Sequence, residues 1–347
     1  MLPLNQNSFQ RRMQLIFRTK DLKLKKEVLS FIDEWNADSN SIKTKTSGST
    51  GLAKHILIEK KYMIASAKMT GDFLQLRKDS NALLCLSPRT IGGKMMIVRA
   101  IVLELNLIIS DLSSTPLEGI KEDIHFAAMV PLQLASELTR SDGKVKKIEQ
   151  LIIGGGPVTR ELASKTLNFS NEVYQTFGMT ETISHVAMRK LSAGEEKYTA
   201  LPEVKFSQKD KCLIIHAPSL GIDSLPTNDL VELMDSKTFK WIGRSDFIIN
   251  SGGIKHSPEE IELKLSTLFT CDYFITGLPD NTLGERIVLC VESPPKDLER
   301  DDFKTVLSKY QVPKEIYYFS KFKRTESGKI DRKTTLKYIS NVQKQVL

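Results

Sequence analysis

Between residues 81 and 177, short apolar runs alternate with stretches of helical spacing. The runs at 82–86, 107–110, 124–130 and 150–153 predict buried strands, and 94–105, 131–139 and 159–167 carry apolar residues three and four apart, as helices do. That alternation predicts an α/β unit, a mostly parallel sheet covered by helices. From residue 211 to 250 the pattern changes to short strands with turns, at 212–217, 229–234 and 239–249. It predicts an antiparallel sheet or small β-barrel-like subdomain appended to the first unit.

A composition break follows at 243–258. Beyond it, a helix starting at Pro258-Glu259-Glu260, strands at 272–276 and 286–291, and helices at 298–309 and 329–339 predict a small α+β domain. A chain of 347 residues favours two domains over one. We expect a boundary near Asp246, giving an N-terminal domain of residues 1–245 and a C-terminal domain of residues 246–347.

Composition narrows the function classes. The chain is 40% hydrophobic and 27% charged, an ordinary globular balance. Its start lacks the basic patch and apolar run of a secretory signal, so no export is expected. The most apolar stretch, 97–109, is interrupted by Arg99, Glu104 and Asn106 and is too short to cross a bilayer, which argues against stable membrane insertion. Cys85, Cys212, Cys271 and Cys290 are scattered, as expected of reduced thiols in a cytoplasmic protein. His55, His125, His185, His216 and His256 show no metal-ligand spacing, and no structural transition metal is expected. The net charge of +8 suits nucleic acid, a membrane surface or a polyanionic small molecule. Charges at 11–26 interleave with leucines like a solvated helix face, and the few aromatics disfavour nucleic acid.

Several segments carry candidate chemistry. In Thr46-Ser47-Gly48-Ser49-Thr50-Gly51-Leu52-Ala53-Lys54, hydroxyls and glycines expose backbone N–H groups, and the lysine can neutralise phosphate oxygens. The order departs from G-x-x-x-x-G-K-[ST], since Lys54 stands three residues after Gly51. Tyr174-Gln175-Thr176-Phe177-Gly178-Met179-Thr180-Glu181 sets a hydroxyl and a carboxylate at a strand end, where α/β proteins bind ligands. Ile152-Ile153-Gly154-Gly155-Gly156-Pro157 is a strand running into a tight turn. Taken singly, each also fits a flexible loop, a helix cap or an ordinary turn.

The order of these segments resembles the adenylate-forming superfamily: acyl-CoA and aryl-CoA ligases, nonribosomal peptide adenylation domains and luciferases. That resemblance covers roughly residues 40–335. It implies that Thr46, Ser47, Gly48, Ser49, Thr50, Gly51 and Lys54 cradle ATP phosphates. It also implies that Glu181 helps hold Mg²⁺, Thr180 contacts phosphate, Phe177 stacks on adenine where the family has tyrosine, and Gly155 and Gly156 lie against adenine and acyl groups. Thr227-Asn228-Asp229 is similar to the family's Thr-Gly-Asp, which gives Asp229 the ribose hydroxyls; asparagine is among the residues that tolerate positive φ best. The match is strongest at Gly243-Arg244-Ser245-Asp246-Phe247-Ile248-Ile249-Asn250-Ser251-Gly252-Gly253-Ile254-Lys255. There it implies that Arg244 contacts ribose or phosphate, Asp246 is the hinge, and Gly252 and Gly253 line the route of the CoA arm. In Ser327-Gly328-Lys329 it implies that Lys329 is the catalytic lysine of adenylation.

The stretch before the phosphate loop is much shorter than the family norm. Reduced chains of this kind resemble the o-succinylbenzoate–CoA ligases of menaquinone synthesis, and residues 87–100 look like their substrate region. A diacid needs a cation for the carboxylate that is not activated, and Arg89, Lys94 or Arg99 can provide it. The expected cosubstrates are ATP and CoA with Mg²⁺. The alternatives are a CoA ligase for another aryl or acyl acid, an adenylation domain that loads a carrier protein, and a binding protein that has lost catalysis.

Overall fold

The apolar run at 82–85 divides by position: Ala82 and Leu84 pack into one core, Leu83 and Cys85 into another. Leu107 and Ile109 likewise face the first core and Ile108 the second, and Phe126 and Ala128 oppose Ala127 and Met129. Side chains on a strand alternate between faces, so a strand covered on both sides must be apolar throughout.

These runs belong to a computed structural model that describes residues 13–45, 55–167, 169–269, 271–295, 298–324 and 330–347. In chain order come β1 (Leu15–Phe17), α1 (Leu22–Asn36), β2 (Ser41–Lys45), β3 (His55–Glu59), α2 (Lys60–Leu74), β4 (Asn81–Leu84), α3 (Ile91–Val102), β5 (Asn106–Ile109), β6 (Phe126–Met129) and α4 (Pro131–Leu138). They continue with β7 (Gln150–Ile153), α5 (Arg160–Ser164), β8 (Glu172–Gly178), β9 (His185–Lys190), β10 (Lys197–Ala200), β11 (Lys205–Lys209), β12 (Cys212–Ala217), β13 (Ile222–Leu233) and β14 (Thr238–Arg244). Twelve strands form one sheet in the order β1-β5-β4-β6-β7-β8-β9-β10-β14-β13-β12-β11. Pairing is parallel from β1 to β8 and antiparallel from β8 onward. The antiparallel half is therefore continuous with the parallel half through the β8–β9 pair. The fold is α/β, as the sequence predicts.

The remaining elements are β15 (Ile249–Ser251), β16 (Ile254–His256), α6 (Pro258–Leu265), β17 (Tyr273–Asp280), β18 (Gly284–Glu292), α7 (Arg300–Lys304), β19 (Glu315–Phe319), α8 (Arg332–Leu336) and β20 (Gln343–Val346). A second sheet, β16-β15-β18-β19-β20 with β17 on β18, has cores of its own. Among the described residues, no helix is long and apolar enough to cross a membrane.

Local chemistry explains where elements differ from the periodicity. The strand expected at 239–249 breaks into β14 and β15 because 245–247 turns as a 3₁₀ helix, with Arg244 clamped on Asp246. The helix expected at 298–309 starts only at Arg300, where the Asp302 carboxylate accepts the Glu299 N–H, and is over by Lys304. That expected at 329–339 becomes α8, capped by Asp331, which accepts the Thr334 N–H and Oγ1–H.

Candidate functional site

At the C-terminal end of β8 the chain turns sharply before β9. A Cβ on Gly178 would lie 2.3 Å from the Ser184 carbonyl oxygen, so only glycine lets the turn fold back this tightly. Ile183 adopts φ +68°, a conformation that a β-branched residue enters only under strain. Such strain costs about 1–3 kcal/mol and clusters at working sites. Thr182 holds the turn, accepting the Met179 N–H and lying within hydrogen-bond reach of the Ser184 carbonyl. The outcome is a turn with two ends: Thr180 half-buried and Glu181 exposed at its rim, Ser184 directed inward.

Below the turn lies the buried cation of α3. Arg99 is 2% exposed, and among the described residues no carboxylate pairs with it. Its Nε–H donates to Thr70 Oγ1 of α2 at 3.3 Å and one Nη2–H donates to Ser184 Oγ at 2.7 Å. Burial pulls its pKa down to about 9, which leaves it charged at neutral pH. Buried His185 bridges the same two hydroxyls, 3.0 Å from Thr70 and 3.3 Å from Ser184. Burial and the Arg99 charge hold its pKa well below the ordinary imidazole value.

The two other candidate cations lie elsewhere. Arg89 is an exposed side chain ion-paired with Glu27 of α1. Lys94 is buried, its Nζ donating to the Lys43 carbonyl of β2 at 2.6 Å and lying over the Phe31 ring at 5.2 Å; burial lowers its pKa. Arg99 alone of the three joins the β8–β9 turn.

A second polar group forms where β13 meets β14, with Asp229 and Arg244 in register. Asp229 is buried and accepts the Trp241 indole N–H at 2.9 Å; burial raises its pKa. The Arg244 guanidinium forks onto Asp246 with two bonds of 2.8 Å, stacks 5.6 Å from Phe247, and lowers the Asp246 pKa. Phe177 is half-buried, its ring edge-on to Phe239 at 5.1 Å. Gly155 is exposed with φ +80°, and a Cβ on Gly156 would come within 3.6 Å of the Pro131 ring. Gly252 and Gly253 form the two-residue turn between β15 and β16, both at positive φ, which that hairpin geometry demands. Thr46, Ser47, Gly48, Ser49, Thr50, Gly51, Lys54 and Lys329 lie outside the described residues.

Among the described residues, no three His, Cys, Asp or Glu gather to hold a metal ion. Mg²⁺ typically takes only one or two protein carboxylates plus phosphate oxygens and water, and the lone exposed Glu181 carboxylate fits that donor set.

Sequence reasoning missed Thr70, Ser184, His185 and Trp241. A histidine between apolar Ile183 and Val186, four residues past Glu181, was the readable signal for the turn. Nothing local marks Thr70, whose role depends on α2 packing against α3.

A hydroxyl and a carboxylate thus stand at the end of β8, and a buried aspartate on β13 of the same sheet. The AMP-binding enzyme family profile matches residues 17–206, more than half of the chain, and the chain belongs to that family. It is similar to the probable 2-succinylbenzoate–CoA ligase of Mycobacterium tuberculosis, 26% identical over 324 residues that span 85% of this chain and 83% of that one. The 2-succinylbenzoate–CoA ligase of Bacillus cytotoxicus is 25% identical over 330 residues, 83% of this chain and 68% of that protein. Among solved structures, an acyl-CoA synthetase (AMP-forming)/AMP-acid ligase II-like protein from Dyadobacter fermentans is 33% identical with a TM-score of 0.62, covering 93% of this chain and 96% of that one. The o-succinylbenzoate coenzyme A synthetase of Bacillus subtilis, solved with ATP and magnesium, shares the fold: TM-score 0.74 at 21% identity, over 85% of this chain and 69% of that one.

Proposed function

We propose that this chain is an AMP-forming acid–CoA ligase whose substrate is o-succinylbenzoate, converted to o-succinylbenzoyl-CoA. Family membership and the named relatives support the reaction class. The observation that carries the substrate is Arg99. A buried charge without a counter-ion costs several kcal/mol, and an anion from outside is what repays it. Arg99 has two N–H groups beyond those given to Thr70, Ser184 and the Met96 sulfur, one on each terminal nitrogen. Two such donors are what a carboxylate can accept from.

In this reading the β8–β9 turn sorts the two ends of a diacid. One carboxylate meets Arg99 and Ser184; the other reaches the rim at Thr180 and Glu181. There its oxygen attacks the α-phosphorus of ATP and pyrophosphate leaves. The sulfur of CoA then attacks the carbonyl carbon of the mixed anhydride and AMP leaves with the bonding pair. Asp229 and Arg244 hold the ribose, Phe177, Gly155 and Gly156 the adenine, and residues 46–54 the phosphates. Lys329 meets the charge that gathers at the α-phosphate. Glu181 would hold Mg²⁺, which would supply positive charge to the phosphates. CoA arrives along Gly252 and Gly253 after residues 246–347 pivot about Asp246.

Purified protein incubated with ATP, Mg²⁺, CoA and a panel of acids, read by mass spectrometry, tests the proposal. AMP and o-succinylbenzoyl-CoA are expected. Another thioester moves the substrate, and the absence of both AMP and thioester across the panel defeats the reading.

A further inference from the structure

His185 is absent from the roles just given, yet it touches both hydroxyls that hold Arg99. The protons of that network can be placed one by one. Thr70 Oγ1 donates to the Ser66 carbonyl at 3.0 Å, so toward Arg99 and His185 it can only accept. The His185 nitrogen facing it, Nε2, must therefore carry the ring's hydrogen. Nδ1 is then bare and accepts from Ser184 Oγ–H, which in turn leaves the Ser184 lone pairs for the Arg99 N–H. The opposite tautomer would give Ser184 two donors, Arg99 and Nδ1–H, and no acceptor for its own proton among the described residues. The first arrangement satisfies every proton within the protein, whereas the second leaves the proton of half-buried Ser184 to solvent.

We infer that neutral His185, as the Nε2–H tautomer, is a positioning residue that orients Thr70 and Ser184 to hold the Arg99 guanidinium open toward a substrate carboxylate. The ring itself does not reach the acid; it fixes the direction of two hydroxyls. An imidazolium would offer Ser184 a donor instead of an acceptor and would set a second positive charge beside Arg99. Burial and the Arg99 charge both keep the ring neutral. The strained φ of Ile183 belongs to the same device, because it delivers Ser184 and His185 to Arg99 from consecutive positions. This inference rests on the diacid reading above.

Two measurements on the full chain test it. Nitrogen NMR of protein labelled with ¹⁵N-histidine, assigned by the signals lost in His185→Asn, reads the tautomer whatever the substrate is. A bare Nδ1 and a protonated Nε2 at pH 7 are expected; the opposite tautomer or an imidazolium overturns the inference. Kinetics of three variants then read the role. Asn keeps an acceptor where Nδ1 stood, Gln keeps a donor where Nε2 stood, and Phe keeps neither. The KM for o-succinylbenzoate is expected to rise about tenfold in His185→Phe and nearly as much in His185→Gln, and about threefold in His185→Asn. The KM for ATP should move less than twofold in each. Equal acid KM in all three and in the parent overturns the positioning role, as does a parallel rise in the KM for ATP. If the unaltered chain forms no thioester with o-succinylbenzoate, the diacid reading falls and takes that role with it, while the nitrogen shifts still decide the proton network.

Discussion

A buried side chain at 2% exposure carries the substrate reading, and its surroundings make measurable demands. His185 has a folded-state pKa well below 6.5, the unfolded value. Above pH 6.5 both states are neutral there and nothing is lost; as pH falls below it the unfolded chain binds a proton that the folded chain refuses. Stability should then drop by up to about 1.4 kcal/mol per pH unit from this group. Urea midpoints between pH 7.5 and 5 should fall less steeply in His185→Asn than in the parent; equal slopes would remove His185 as the cause. Asp229→Asn keeps a partner for the Trp241 N–H but loses the charge. It is expected to raise the KM for ATP by roughly tenfold or more and leave the acid KM near its parent value. At this scale the sequence spoke unevenly. Asp229 and Arg244 stand out as candidates in their segments, but nothing local separates Arg99 from Arg89 and Lys94; that Arg89 pairs with Glu27 and Lys94 with a backbone carbonyl depends on α1 and β2 folding beside them.

The β8–β9 turn is the element that joins the two ends of the site. Gly178→Ala would drive a Cβ into the Ser184 carbonyl, and the backbone must then shift. Stability is expected to fall by about 1–3 kcal/mol, with catalytic efficiency for the diacid falling further because Ser184 moves off Arg99. A thermal shift with unchanged kinetics would separate the turn from the site. The buried parallel strands were legible because both faces are covered, so their apolar runs stand out. Strands β9 to β11 and helix α2 were not, since β9 mixes His185, Arg189 and Lys190 with its apolar residues, half-exposed β10 and β11 dilute the apolar signal, and α2 carries Lys60, Lys61 and Lys68. The break of 239–249 into two strands escaped too, because it depends on the Arg244–Asp246 clamp rather than on hydropathy.

Across the whole molecule, the proposal assigns the two half-reactions to one chain with different demands on its C-terminal part. Lys329→Ala should slow adenylation by about a hundredfold or more, read as acid-dependent pyrophosphate release, while thioester formation from supplied acyl-adenylate keeps most of its rate. Equal loss of both would end the assignment. Two sheets with separate cores could be foreseen from the break in composition at 243–258. That β9 to β14 extend the first sheet to twelve strands rather than forming a separate barrel could not, because strand partners are chosen by tertiary packing. The most direct test of the central claim compares catalytic efficiency on o-succinylbenzoate with that on a benzoate-type monoacid, in the parent chain and in Arg99→Gln, which retains a hydrogen-bonding group at that position. A loss of about a hundredfold on the diacid, with little change on the monoacid, is expected from removing one buried charge-assisted pair. Unchanged preference for the diacid in Arg99→Gln would contradict the claim.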